Sequence, residues 1–139
     1  MSSSIPFASI RLITDRIDNL VGFYAEVTGV VPAWATPEFA ELRWPGVTLA
    51  IASASTVARL GDHLDPTTGN RASIVEFRVE DVDAEVARIQ RALPGATWVL
   101  PPTTMPWGNR SALLRDPDGT LVNLFSPPAG GRRTPPTAG

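Results

Sequence analysis

Polar and apolar residues alternate from Ala8 to Thr14, which predicts a strand with Ile10 and Leu12 on one face and Ser9, Arg11 and Ile13 on the other. The period then lengthens. Ile17, Leu20, Val21, Tyr24 and Val27 recur at helical spacing, with Asp15 as the expected cap, Asp18 in the first turn and Gly29 as the stop. Three short strands are expected next, near Val31–Ala35, Phe39–Arg43 and Thr48–Ser53, with Trp44-Pro45-Gly46 turning the chain between the last two.

After residues 54–71, a linker carrying Gly, Pro, Thr and His63, the pattern starts again. Ser73 to Val79 alternates, with Val75, Phe77 and Val79 opposite Ile74, Glu76 and Arg78. Asp81 is placed to cap a helix carrying Val82, Val86, Ile89 and Leu93, which Pro94-Gly95 ends. Strands follow near Thr97–Leu100, Ser111–Arg115 and Thr120–Phe125, the last two joined by Asp116-Pro117-Asp118-Gly119, a strong hairpin signal. A shift of about 65 residues lays Ile10 on Val75, Leu12 on Phe77, Ile17 on Val82, Val21 on Val86 and Tyr24 on Ile89, all apolar pairs in the same order of elements. The chain therefore divides into a first module over residues 1–53, a linker over 54–71, a second module over 72–127 and a Pro/Gly/Thr/Arg tail over 128–139, expected to be a flexible extension.

Composition narrows the chemistry. The chain has no cysteine, which excludes disulfides, thiolate nucleophiles and Cys-based zinc sites, and its single histidine, His63, excludes any two-His site within one chain. Twelve basic and fourteen acidic residues give a formal charge of -2, with no electrostatic footprint for nucleic acid or an anionic membrane. The first residues show no charged and apolar leader, and no apolar run reaches the roughly 18 residues of a membrane span, so the expected location is the cytoplasm.

The segment from Arg11 to Tyr24, ending at Gly29, resembles the first module of the vicinal-oxygen-chelate superfamily, which holds glyoxalases, bleomycin resistance proteins and dioxygenases. Val79-Glu-Asp-Val-Asp83, Met105-Pro-Trp-Gly108 and Leu114 to Phe125 resemble the second, so the likeness runs from about Ile5 to Pro127. The resemblance implies an α+β fold of two βαβββ modules, forming a curved mixed sheet with a cleft and helices on its outer face. Metal-dependent members take one ligand from the first strand and one from the last strand of a module, typically His or Gln and then Glu. The matching positions here are Ser9 and Ala50 in one half, Ile74 and Asn123 in the other. Two of these side chains cannot ligate a metal and the other two are weak neutral ligands, so no metal and no cofactor is expected.

Several residues compete for a role. Arg11 and Glu76 are expected to point into the cleft from the two first strands, either fixing a polar ligand, with Glu76 as a candidate base, or pairing to set the register between modules. Trp34 and Trp107 offer flat surfaces for a planar ligand, although indoles of this kind also close cores. Asn123 can hydrogen-bond a ligand without a metal, or satisfy a neighbouring strand. His63 lies in the linker and reads as an exposed surface histidine.

The leading expectation is a metal-free binding protein of the resistance type, holding a small, partly planar molecule between Ser9, Arg11, Trp34, Ile74, Glu76, Trp107 and Asn123. Antibiotic sequestration is one such use, and a homodimer is expected because two chains would cover open sheet edges and complete a cleft. The rival is an enzyme, either a lyase or isomerase using Glu76 as base, or a dioxygenase-like member with displaced metal ligands. A structural or regulatory dimer with a relic cleft is the third.

Overall fold

The β-branched, alternating segments form strands and the 3.6-period segments form helices, twice over, in the computed structural model, which describes residue 4, residues 6–56 and residues 73–128. His63 and the tail beyond residue 128 lie outside the described residues. The order is β1 (Ser9–Thr14), α1 (Ile17–Thr28), β2 (Ala33–Thr36), β3 (Phe39–Trp44), β4 (Val47–Ser53), β5 (Ile74–Arg78), α2 (Val82–Ala92), β6 (Thr97–Thr104), β7 (Arg110–Arg115) and β8 (Leu121–Ser126). The chain separates into two units, one carrying β1–β4 with α1, the other β5–β8 with α2. Each is a βαβββ module, and the fold is α+β as expected.

The two sheets share one plan. In the first the order is β1-β4-β3-β2, in the second β5-β8-β7-β6, so the opening strand of each module pairs with the closing one. That pairing is parallel, and the remaining pairs are antiparallel. A parallel neighbour requires a crossover, and the helix provides it.

Alternation then decides what each face carries. In the first sheet Ala40, Leu42, Leu49 and Ile51 are buried, and α1 packs there with Leu20, Val21, Phe23, Tyr24 and Val27. In the second, Ala112, Leu114, Val122 and Leu124 meet Val82, Val86 and Ile89 of α2. The other face of each sheet holds the residues with chemistry.

The helix starts differ. Asp81 caps α2, its carboxylate accepting from the Ala84 amide at 3.0 Å. Asp15 does not cap α1, contrary to the sequence reading. The N-cap is Arg16, which makes no side-chain cap bond. The buried Thr14 hydroxyl, at the end of β1, accepts from the Arg16 amide at 3.0 Å, which fixes the turn leading into α1 without capping its first helical amides. At the other end Gly29 stops α1 as anticipated, with φ of 75° and its N–H on the Ala25 carbonyl.

β6 runs well past the expected Leu100, through Pro101 and Pro102 to Thr104. It is an edge strand, where one of two successive proline nitrogens can face away from β7, and its register slips on both sides of Leu100, the second slip spanning the two prolines. Among the described residues no helix is long and apolar enough to cross a membrane.

Candidate functional site

β5 and β8 lie side by side in parallel register, which places Glu76 beside Asn123. On the other side of β8, Asn123 pairs with Leu113 of β7. Glu76, Asn123 and Leu113 therefore form one row on the face away from α2. Ile74, Leu121 and Arg115 form the row before it, and Arg78, Phe125 and Ser111 the row after. Glu76 is exposed and Ile74 is half exposed, while Asn123 and Ser111 are only 3% exposed.

The Asn123 side-chain amide donates to Glu76 Oε2 at 2.9 Å. A carboxylate accepts only, so this bond fixes which end of the carboxamide faces which way. Among the described residues, Asn123 Oδ1 is left buried with no hydrogen-bond partner, and so is Ser111 Oγ. The sequence marked Glu76 and Asn123 separately, and the structure joins them. It did not mark Ser111: counting back from the Asp116–Gly119 turn pairs Arg115 with Thr120 and puts Ser111 opposite Leu124, whereas the observed register pairs Arg115 with Leu121 and Ser111 with Phe125.

The first module carries the equivalent row with different chemistry. Arg11 stands beside Ala50, which pairs across with Glu41. The Arg11 guanidinium carbon lies 5.3 Å from the centroid of the Phe39 ring, a cation–π arrangement. Glu41 is engaged by Arg43, which forks onto Oε1 at 2.6 and 2.9 Å. Ser9 is exposed one row earlier, opposite Thr48. Phe39 was missed because only the register of β1 on β4 and β4 on β3 reveals it.

The two tryptophans part company. Trp107 sits in the β6–β7 turn, where the Gly108 amide donates to the Met105 carbonyl at 2.8 Å and the Met105 amide to Asn109 at 2.7 Å. It is 55% exposed. Trp34 is opposite Ala40, hence in the row of Ile51 and Leu12 on the α1 side of its sheet, and is not brought to the face of Arg11. Strand parity alone decides this.

Beside the face, Arg110 forks onto Asp83 at 2.7 and 2.9 Å, tying the start of β7 to the first turn of α2. Those hydrogen bonds hold the Asp83 carboxyl below its ordinary range and push the Arg110 guanidinium up. The Ser53 and Ser55 hydroxyls similarly lower Glu38.

A resident metal does not fit these donors. The positions matching the superfamily's ligands hold Ser9, Ala50, Ile74 and Asn123, and Asn123 already directs its nitrogen at Glu76. Among the described residues no three His, Cys, Asp or Glu side chains gather into a metal-holding group. What the second module's face presents is the exposed Glu76 carboxylate, a hydrogen-bond acceptor, beside the apolar surface of Leu113, Leu121 and Phe125, with Asn123 and Ser111 buried in the same face.

Paired βαβββ modules with this strand order define a class of small α+β proteins. Residues 7–124 match the family model of the Glyoxalase/Bleomycin resistance protein/Dioxygenase superfamily, and the chain belongs to that superfamily. Solved structures agree on the fold. A glyoxalase/bleomycin resistance protein/dioxygenase from Nocardioides is 24% identical at a TM-score of 0.73, covering 100% of this chain and 93% of its own. A glyoxalase-related enzyme from Fulvimarina pelagi is 21% identical at 0.74, covering 86% of each chain. TioX from Micromonospora sp. ML1 is 24% identical at 0.66, covering 86% of this chain and 96% of its own. No curated protein matches.

Proposed function

We propose that this chain is a metal-free binding protein of the bleomycin-resistance kind, which holds a small, partly planar molecule and serves sequestration, as of an antibiotic. The observation that carries the reading is the Asn123–Glu76 hydrogen bond. Where a metal-dependent relative would place a ligating carboxylate, this chain places an amide bonded to its neighbour. Recognition by hydrogen bonds then replaces coordination. Glu76 and Asn123 fix the polar edge of the ligand, Ile74 and Phe125 lie on the same face, and the exposed Trp107 is available for stacking. Arg11 over Phe39 and the adjoining Ser9 offer a second polar position in the first module.

The functional unit on this reading is a homodimer. Ile10, Ile74 and Val99 are half exposed on strands at sheet edges, and a second copy of the chain would cover such surface. The protein would act in the cytoplasm, with no nucleic-acid or membrane partner.

A thermal-shift screen tests the reading, because a ligand that binds only the folded chain raises its apparent stability. Planar organic compounds should raise Tm, and Zn, Ni, Mn or Fe should not. Native mass spectrometry of protein from its own host should show a co-purifying organic mass. Stabilisation by metal alone would point instead to an enzyme. One observation favours a metal-free version of that rival: Glu76 is exposed yet held by Asn123, as the base of a lyase or isomerase needs to be. Turnover of a bound carbon acid, lost in Glu76→Gln, would establish it.

A further inference from the structure

The turn that carries Trp107 is held from two sides. Within it, the Gly108 amide donates to the Met105 carbonyl at 2.8 Å and the Met105 amide to the Asn109 carbonyl at 2.7 Å. The second hold comes from the segment after β8. The β7–β8 ladder ends where Arg110 pairs with Ser126, and the same register carried two residues further sets Pro127 opposite Asn109 and Pro128 opposite Gly108. Packing agrees with that alignment: a Cβ built on Gly108 would lie 3.0 Å from Pro128 Cβ, 3.1 Å from its Cγ and 3.9 Å from its Cα. The bare glycine lets the proline ring rest directly on the backbone of the turn, and Pro128 is half-buried.

Gly108 has φ of 103°, and glycine moves between backbone conformations more freely than any other residue. It adjoins Trp107, so it is the natural hinge for that indole, which is 55% exposed. Pro127 and Pro128 are suited to block the hinge. Each ring fixes φ at about −65° and restricts the residue before it, so Ser126, Pro127 and Pro128 form a stiff stretch anchored at the end of β8. Proline offers no N–H, so the hold on Gly108 is steric and not a ladder bond. We propose that Pro128 is the stop on a glycine hinge at position 108, and so a positioning residue for Trp107. Resting on the binding reading above, the stop keeps the indole in one place before a planar ligand arrives, which lowers the ordering cost of stacking on it.

The chain has four tryptophans, so labelling the full protein with 5-fluorotryptophan gives four fluorine resonances, and the one missing from Trp107→Phe belongs to Trp107. Pro128→Gly should move the Trp107 resonance toward its position in the urea-unfolded chain and leave those of Trp34, Trp44 and Trp98 in place. Pro128→Ala keeps the Cβ, the atom that meets Gly108 most closely, and should move the resonance less, in the same direction. A general structural role would instead shift all four together. An unmoved Trp107 resonance in Pro128→Gly, or a common shift of all four, would overturn the stop. If Pro128→Gly does not fold, Pro128→Ala decides by the same criterion. The spectra need no ligand, so their failure leaves the binding reading intact, and a failed thermal-shift screen leaves the stop intact.

Discussion

Arg110 and Asp83 meet through two parallel hydrogen bonds, 2.7 and 2.9 Å long, joining the first residue of β7 to the first turn of α2. The fork is exposed, so its effect on stability is small and sensitive to salt. Its pH dependence has a definite sign. Asp83 titrates below its ordinary value of 3.8 when folded, so the pair stabilises the fold above that pH and loses its contribution as pH falls through the lowered folded value. The Tm difference between the wild type and Asp83→Asn should be present at neutral pH and vanish in strong acid. A difference that grows on acidification would contradict this.

Gly22 sits in the middle of α1, exposed, and a Cβ added there meets nothing within 4 Å. Gly22→Ala should therefore stabilise the chain by about 0.5–1 kcal/mol in urea unfolding, because glycine loses more freedom on entering a helix.

Gly108 should behave oppositely. Its φ is 103°, and an added Cβ would lie 3.0 Å from the Pro128 side chain. Gly108→Ala is expected to cost about 1–3 kcal/mol and to disturb the turn that presents Trp107. Chemical denaturation with tryptophan fluorescence reads both effects.

The turn joining β7 to β8 depends on one buried carboxylate. Asp116 Oδ1 accepts from the amides of Asp118 and Thr120 at 2.9 and 3.0 Å, and Gly119 closes the turn with φ of 92°. Asp116→Ala leaves those donors unpaired and should destabilise by about 1–3 kcal/mol, whereas Asp81→Ala, which removes only the cap of α2, should cost about 1 kcal/mol. Reversal of that order in equilibrium unfolding would show that the turn is not a rigid element.

The fold was legible because its signals are local. Period, caps and turns over Ile17–Gly29 and Asp81–Leu93, and the repeat that matched Val21 with Val86, each need only a few neighbouring residues. The site was legible in part. Strand alternation set Glu76 and Asn123 on the face away from the helix, but their direct bond depends on the register of β5 on β8, which links positions far apart in the chain. Phe39 beneath Arg11 and Ser111 near Asn123 were hidden for the same reason. Asp15 failed as a cap because the helix begins one residue later than its position requires: Arg16 occupies the N-cap, and nothing in the local sequence distinguishes the two registers.

The central claim is that the Glu76–Asn123 pair recognises an organic ligand and holds no catalytic metal. Elemental analysis tests it most directly, after chelation, reloading with Zn, Ni, Mn or Fe, and desalting. The account predicts no stoichiometric metal on the wild-type protein. One equivalent of metal that survives desalting, and is lost in Glu76→Gln or Asn123→Ala, would contradict it.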